Sequence, residues 1–340
     1  MSRAITITVT GDWAAAYSRA VTRDRRVIQR RRRLAVARAL VVTSLLVGGV
    51  AVSDAAATTG ALTQKTGTAG CISETGHGGD CATGTALTSA VSVTVSPDGA
   101  NAYAASLSSG AVVVFDRDPS TGELTQKTGT AGCISETGSG GDCATGTAID
   151  GASSVTVSPD GANAYAAAVY SGAVVVFDRD PSTGELTQKT GTAGCISQTG
   201  SGGDCATGTA LNYAISVTIS PDGTNAYAAA AGSGAVVVFD RDPSTGELTQ
   251  KTGTAGCISQ TGHDGDCATG TALAGAYSVT VSPDGANAYA ASAISDAVVV
   301  FDRDPSTGAL TQKTGTAGCI SQTGGDCATG TALDGAVSVT

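Results

Sequence analysis

The phrase LTQKTGTAGCIS begins at Leu62, Leu124, Leu186, Leu248 and Leu310, so a 62-residue unit recurs almost letter for letter. A fixed period of this size marks a repeat architecture. Any side chain inside the unit appears four or five times. The chain therefore offers an array of equivalent positions and not one asymmetric catalytic pocket.

One unit reads as four short strands. Val91, Val93 and Val95 alternate with Ser92, Thr94 and Ser96, the period of a strand with two unlike faces. Pro97-Asp98-Gly99 stops it, because Pro presets φ, Asp bonds its own backbone and Gly accepts positive φ. Residues 101–106 (NAYAAS) form a second strand. Residues 111–115 (AVVVF) form a continuous apolar run, as expected of a central strand buried on both faces. Residues 116–123 (DRDPSTGE) read as a polar hairpin loop, and residues 124–127 as a more polar outer strand. Four antiparallel strands per repeat predict an all-β fold, a β-propeller of four-stranded blades. A solenoid coil is shorter, and no helical period appears after residue 57.

Strand alternation places turns 1–2 and 3–4 at one end of every blade. Turn 2–3 and the crossover to the next blade lie at the other. The crossovers carry SETGHGGD, SETGSGGD, SQTGSGGD and SQTGHDGD, so these Gly-rich loops decorate one face. Loops on one face of a rigid frame are where binding commonly resides. They serve equally well as clamps that stiffen a long connection.

Composition divides the chain. Residues 1–57 hold ten of the 19 basic residues, including Arg30 to Arg33, and only three acids, Asp12, Asp24 and Asp54. The rest carries 9 basic and 26 acidic residues, which excludes a phosphate-binding surface and hence nucleic acid. A basic stretch ending at Arg38 precedes an apolar run from Ala39 to Val52. That run is short for a membrane span, which needs about 20 apolar residues, and suits a signal peptide. Ala55-Ala56-Ala57 supplies small residues for cleavage after Ala57, and an uncleaved anchor is the alternative. Arg31-Arg32 with Leu34 faintly resembles a twin-arginine signal. The expected location is extracellular or at the cell surface, with membrane contact only through this leader.

Ten cysteines fall in five spaced pairs: Cys71/Cys81, Cys133/Cys143, Cys195/Cys205, Cys257/Cys267 and Cys319/Cys327. An even number at repeated spacing in an exported chain implies disulfides. Zinc needs tight C-x2-4-C spacing or accompanying His, and neither repeats here. Pairing within a repeat is favoured, with pairing between repeats still open. Val and Ala dominate the expected core, so the bridges are expected to contribute much of the stability, at about 2–4 kcal/mol each.

The phrases SPDGANAYAA, AVVVFDRDPSTGELTQ and GCIS…GGDCATGTAL resemble the bacterial lactonase-like β-propeller family, related to YVTN-type repeat propellers. The resemblance covers about 60–340. It implies seven blades, and for some members hydrolysis of sugar lactones or cyclisation of muconates. Enzymatic members place His, Arg and Glu at the central channel. Here the only histidines, His77 and His263, lie at loop tips where other repeats carry Ser139 and Ser201. The Lys65 series falls on the outer strand and the Arg117 series in turn 3–4. No catalytic, cofactor-binding or metal-binding set is therefore expected. Asp116-x-Asp118 has the alternate carboxylates of a calcium loop without EF-hand spacing, and its residues are ordinary turn formers.

These features set the expected organisation. A leader occupies 1–57 and the propeller 58–340, with blades at about 88–149, 150–211, 212–273 and 274–335 and partial blades at 58–87 and 336–340. Seven repeats need roughly 430 residues, so the ring is expected to be incomplete and the chain a fragment. Open blade edges then invite self-association. The leading functional expectation is an exported, disulfide-stapled, non-enzymatic scaffold that binds an extracellular protein or polysaccharide through the Cys-loop face. One alternative is a lactonase-type hydrolase or isomerase whose catalytic residues lie outside this chain. Another is a cell-envelope spacer with no specific ligand.

Overall fold

The computed structural model describes residues 62–340. The leader, its cleavage point and residues 58–61 lie outside the described residues. The chain divides into two units, Met1–Leu62 and Thr63–Thr340, and all that follows concerns the second.

Four six-stranded sheets follow one another, one per repeat, preceded by a two-stranded pair of Ile72–Ser73 with Ala82–Thr83. In the first full blade the inner strand is Ala90–Val95, the second Asn101–Ser106 and the third Ala111–Arg117. All are antiparallel neighbours. The valine-rich third strand is buried on both faces, as its continuous apolar run predicts.

Two features differ from the sequence reading. Asp116 and Arg117 belong to the third strand, not to the loop, because they pair with Thr125 and Leu124. The outer strand, read from sequence as 124–127, is instead two segments. Leu124–Gln126 pairs with the lower half of the third strand, a 3-10 turn over Gly129–Gly132 intervenes, and Cys133–Ser135 pairs with the upper half. Ala144–Thr145 then adds in parallel to Cys133–Ser135. The crossover is thus partly sheet, and its cysteines sit in or beside strands.

Side-chain alternation builds the core between blades. Tyr103, Ala105, Val112 and Val114 leave the first blade and meet Ala164, Ala166, Val175 and Phe177 of the second. The same pattern recurs at the next two junctions. Fully burying a Val or Phe side chain is worth roughly 1.5–3 kcal/mol. Cys195 and Cys205 lie in the first of these clusters, so that disulfide is part of the interblade core.

The described blades do not close into a ring. In each blade the inner strand and the short parallel strand are sheet edges, paired on one side only. Val93 of the first inner strand is 66% exposed, whereas its equivalent Val155 is 4% exposed beneath the first blade.

Candidate functional site

The two ends of the blades differ in chemistry. At the end carrying turns 1–2 and 3–4, each junction is tied by a buried arginine. Arg179 ends the third strand of the second blade. Its Nε donates to Tyr103 Oη at 2.6 Å. Its Nη2 donates to Asp98 Oδ2 at 2.7 Å and Asn101 Oδ1 at 2.8 Å, all three acceptors lying on the first blade. Its Nη1 donates to Gly161 O at 2.9 Å in its own turn. Tyr103 Oη in turn donates to Gly184 O of the second blade at 2.8 Å. Only glycine fits there, since a Cβ on Gly184 would lie 2.1 Å from Asn101 Cγ. Arg241 and Arg303 repeat the arrangement on Tyr165 and Tyr227.

The electrostatics follow from this packing. Asp98 is held down at about 2 by the Ser96 hydroxyl and the Ala100 N–H, with Arg179 adding to them. Burial pushes the Tyr165 and Tyr227 phenols up to about 12. Burial also opposes the charge on each arginine, but the carboxylate and phenol partners outweigh it and the guanidinium pKa rises. Each charge is paired inside the junction, so the network joins blades and leaves no group poised for proton transfer.

The residues singled out from sequence fall as follows. The five disulfides join cysteines within each repeat: Cys71–Cys81, Cys133–Cys143, Cys195–Cys205, Cys257–Cys267 and Cys319–Cys327. The chain between them bulges from the turn 2–3 end, because Ser135 pairs with Ala111 at the start of the third strand. His77 and His263 take the same left-handed backbone (φ 45° and 46°) as Ser139 and Ser201 (46° and 45°). Asp116 receives Lys127 at 2.7 Å and Asn101 Nδ2 at 3.1 Å. Asp118 Oδ1 accepts from Ser120 N at 2.7 Å and Thr121 N at 3.0 Å. The two carboxylates therefore serve separate structural tasks. No group of three His, Cys, Asp or Glu placed to hold a metal occurs among the described residues.

The opposite end of the blades is the Cys-loop face that the sequence reading singled out, and it also carries positions where the repeats differ, which that reading did not single out. Each inner strand carries a bulge that leaves one residue outside the ladder: Val91, Ser153, Ile215 and Tyr277. Bulges re-aim side chains and gather near functional sites. Beside them, two further positions vary together. Tyr170 lies over Gly151, where a Cβ would come 2.6 Å from its ring. In the third blade the partners exchange, with Tyr213 over Gly232 at the same 2.6 Å. Ile294 lies over Gly275 in the fourth, and two serines share the place in the first, Ser108 donating to Ser89 at 2.8 Å. Tyr170, Tyr213 and Ile294 remain 61%, 49% and 60% exposed. Aligning the repeats against one another would have revealed this rim.

With both ends described, comparison with known proteins gives the family. The profile of the family described as Lactonase, 7-bladed beta-propeller matches residues 46–197, 93–260 and 218–320. The chain belongs to this family. No curated protein matches it. Among solved structures, a candidate 6-phosphogluconolactonase from Bacteroides fragilis is 22% identical, with a TM-score of 0.48 over 65% of this chain and 52% of that one. The periplasmic gluconolactonase of Pseudomonas aeruginosa is 23% identical, with a TM-score of 0.46 over the same shares. The chain thus spans about half the length of these structures. The described residues form four blades of this lactonase-family propeller, stapled by disulfides.

Proposed function

We propose that the chain serves a lactonase-type propeller that hydrolyses a sugar lactone, with the substrate admitted at the variable rim. The observation that carries this reading is the family match across residues 46–320. The bulged inner strands support the choice of end, since each leaves a different residue outside the ladder there. In the proposed reaction water adds to the lactone carbonyl, the ring C–O bond breaks and a hydroxy acid leaves. The regular blades act as the frame, and the groups that activate water lie outside the described inner strands. Those strands carry only Ala, Val, Ile, Ser, Thr and Tyr. Export fits the five disulfides, which persist in oxidising compartments.

A non-enzymatic scaffold is the second reading. It is favoured by the exposed Tyr170, Tyr213 and Ile294 beside the Cys loops, a surface suited to stacking on neutral polysaccharide. One experiment separates the two: acid release from a panel of sugar lactones, followed by pH-stat, alongside retention on neutral polysaccharide. Release above the spontaneous rate supports the lactonase reading. Retention without release supports the scaffold.

A further inference from the structure

Exposed stretches of this chain do not vary equally. The tied-end turns SPDGAN and DRDPSTGE recur in the four full blades with changes only at Thr224 and Ala309. The exposed Thr128-Gly129-Thr130 recurs unchanged in every unit. At the rim, residues 86–91 and their equivalents read ALTSAV, AIDGAS, ALNYAI and ALAGAY. Residues 106–110 and theirs read SLSSG, AVYSG, AAGSG and SAISD. The two stretches meet at one end of the blade, because Ala90 pairs with Ser106. Exposure alone would let all of these segments diverge, yet divergence gathers at the rim.

Stability does not account for the rim residues either. Ser89, Tyr213 and Asp296 hold φ of 58°, 54° and 49°, where other repeats place glycine. A side chain in that left-handed region is strained, and such strain gathers at ligand clamps. Tyr213 stays 49% exposed, so burial returns little for it. Charge narrows the occupant. The neighbouring Cys loops carry the exposed Asp80, Asp142, Asp204 and Asp266. The arginines close the other end, where Lys127, Lys189, Lys251 and Lys313 also pair with third-strand aspartates.

We propose that the rim is a docking surface for an extended polypeptide segment bearing basic and apolar side chains. Successive blades offer unlike subsites. The first presents two serine hydroxyls, the second Tyr170 beside Asp150, the third Tyr213 beside Asn212 and the fourth Ile294 over Gly275. A glycan of one repeating sugar meets the same contact at each step and gains nothing from such differences. A polypeptide changes side chain along its length and can match them. Tyrosine faces and nearby carboxylates suit its Lys and Arg side chains. The proposal goes beyond the lactonase reading and stands without it.

The test uses the full chain, a display library of random peptides of about 12 residues, and laminarin as a neutral glycan probe. Peptides retained by the wild type are expected to be rich in Lys, Arg and apolar residues. Their affinity is then read by fluorescence polarisation on two variants. The first, Tyr170→Ser with Tyr213→Gly, installs residues that other blades carry at those places. It is expected to bind at least about 10-fold more weakly, because aromatic anchors dominate such contacts. The second, Tyr170→Ile with Ile294→Tyr, keeps the side chains and exchanges their order, each still over a glycine. It is expected to lose about 5-fold, because an ordered ligand meets its subsites out of sequence. Either loss, with an unchanged melting transition, supports the proposal. A wild type that retains no peptide overturns it. So do peptides that bind both variants like wild type, or laminarin that displaces them and binds the exchange variant as well as wild type.

Discussion

The two ends of the blades obey different rules. At the tied end, arginine, asparagine and tyrosine side chains are buried at each junction, recur from blade to blade and are bonded across it, with an aspartate partner that stays about 40% exposed. At the rim, side chains are exposed, differ from blade to blade and exchange places with glycine. The contrast separates what the repeat must keep from what it is free to vary. The tied end fixes how one blade sits on the next, so any change in one blade mismatches its neighbour. The rim pairs sit within a single blade, so each blade settles its own packing.

The largest test of this contrast makes one substitution in two places. Arg241→Ala strips a junction of its cation and leaves Tyr165, Asp160 and Asn163 with unmet acceptors. It is expected to cost about 2–4 kcal/mol in chemical denaturation, because the buried Tyr165 and Asn163 acceptors lose their donor, at about 1–3 kcal/mol each. Arg117→Ala, which among the described residues loses only the bond to Gly99 O, is expected to cost less than about 1 kcal/mol. Equal losses would show that arginine acts through its own blade and not through the junction.

The pH dependence of stability should belong to the tied end as well. Asp98 lies at about 2 in the fold against an ordinary 3.8. Its contribution is complete above the ordinary value and disappears as pH falls through the folded one. Asp160 and Asp222 are lowered in the same sense, by hydrogen bonds and arginine that outweigh burial. Tyr165 and Tyr227, raised from 10.0 to about 12, give the opposite limb. Their contribution is complete below pH 10 and is lost as pH rises toward 12. Melting temperature is expected to be flat between these limbs and to fall on both sides. Arg241→Ala is expected to shrink the acid limb through Asp160 and to enlarge the alkaline one, because Arg241 lowers the Tyr165 pKa against burial, whereas a rim variant leaves both unchanged.

Much of the fold was legible in the sequence because its cause is local. The alternation at 91–96, the Pro-Asp-Gly stop and the apolar run at 111–115 act over a few residues, and the strands appear there. The ties were not legible. Arg179 meets Tyr103 and Asp98 from 76 and 81 residues away, beyond any local pattern. The recurrence of Asp98, Asn101, Tyr103 and Arg117 in every unit was visible, yet their types also suit turns and a framework tyrosine. Asp116 and Arg117 looked like loop for the same reason, since polar residues before Pro119 read as a turn. The end of the blade that bears the Cys loops followed from strand parity alone. The rim pairs needed contact geometry, because a Tyr and a Gly 19 residues apart carry no mark of proximity.

The rim offers the subtlest prediction, because its rule is compensation. In the third blade Tyr213 sits at φ 54°, a left-handed conformation that favours glycine, and its ring covers Gly232. In the second blade the glycine is at the first position and Tyr170 at the second. Tyr213→Gly alone removes an exposed ring and relieves the backbone, so its effect is expected to stay within about 0.5 kcal/mol. Gly232→Tyr alone places two rings in one space and is expected to cost about 1–3 kcal/mol. The double variant recreates the second blade's arrangement and is expected to recover to near wild type. A double-mutant cycle by denaturant titration reads the coupling directly. Additive effects would mean that the pairs vary independently, and the separation between a constrained end and a self-compensating rim would fail there. Coupling would show that the rim can be rewritten one blade at a time without disturbing a single tie.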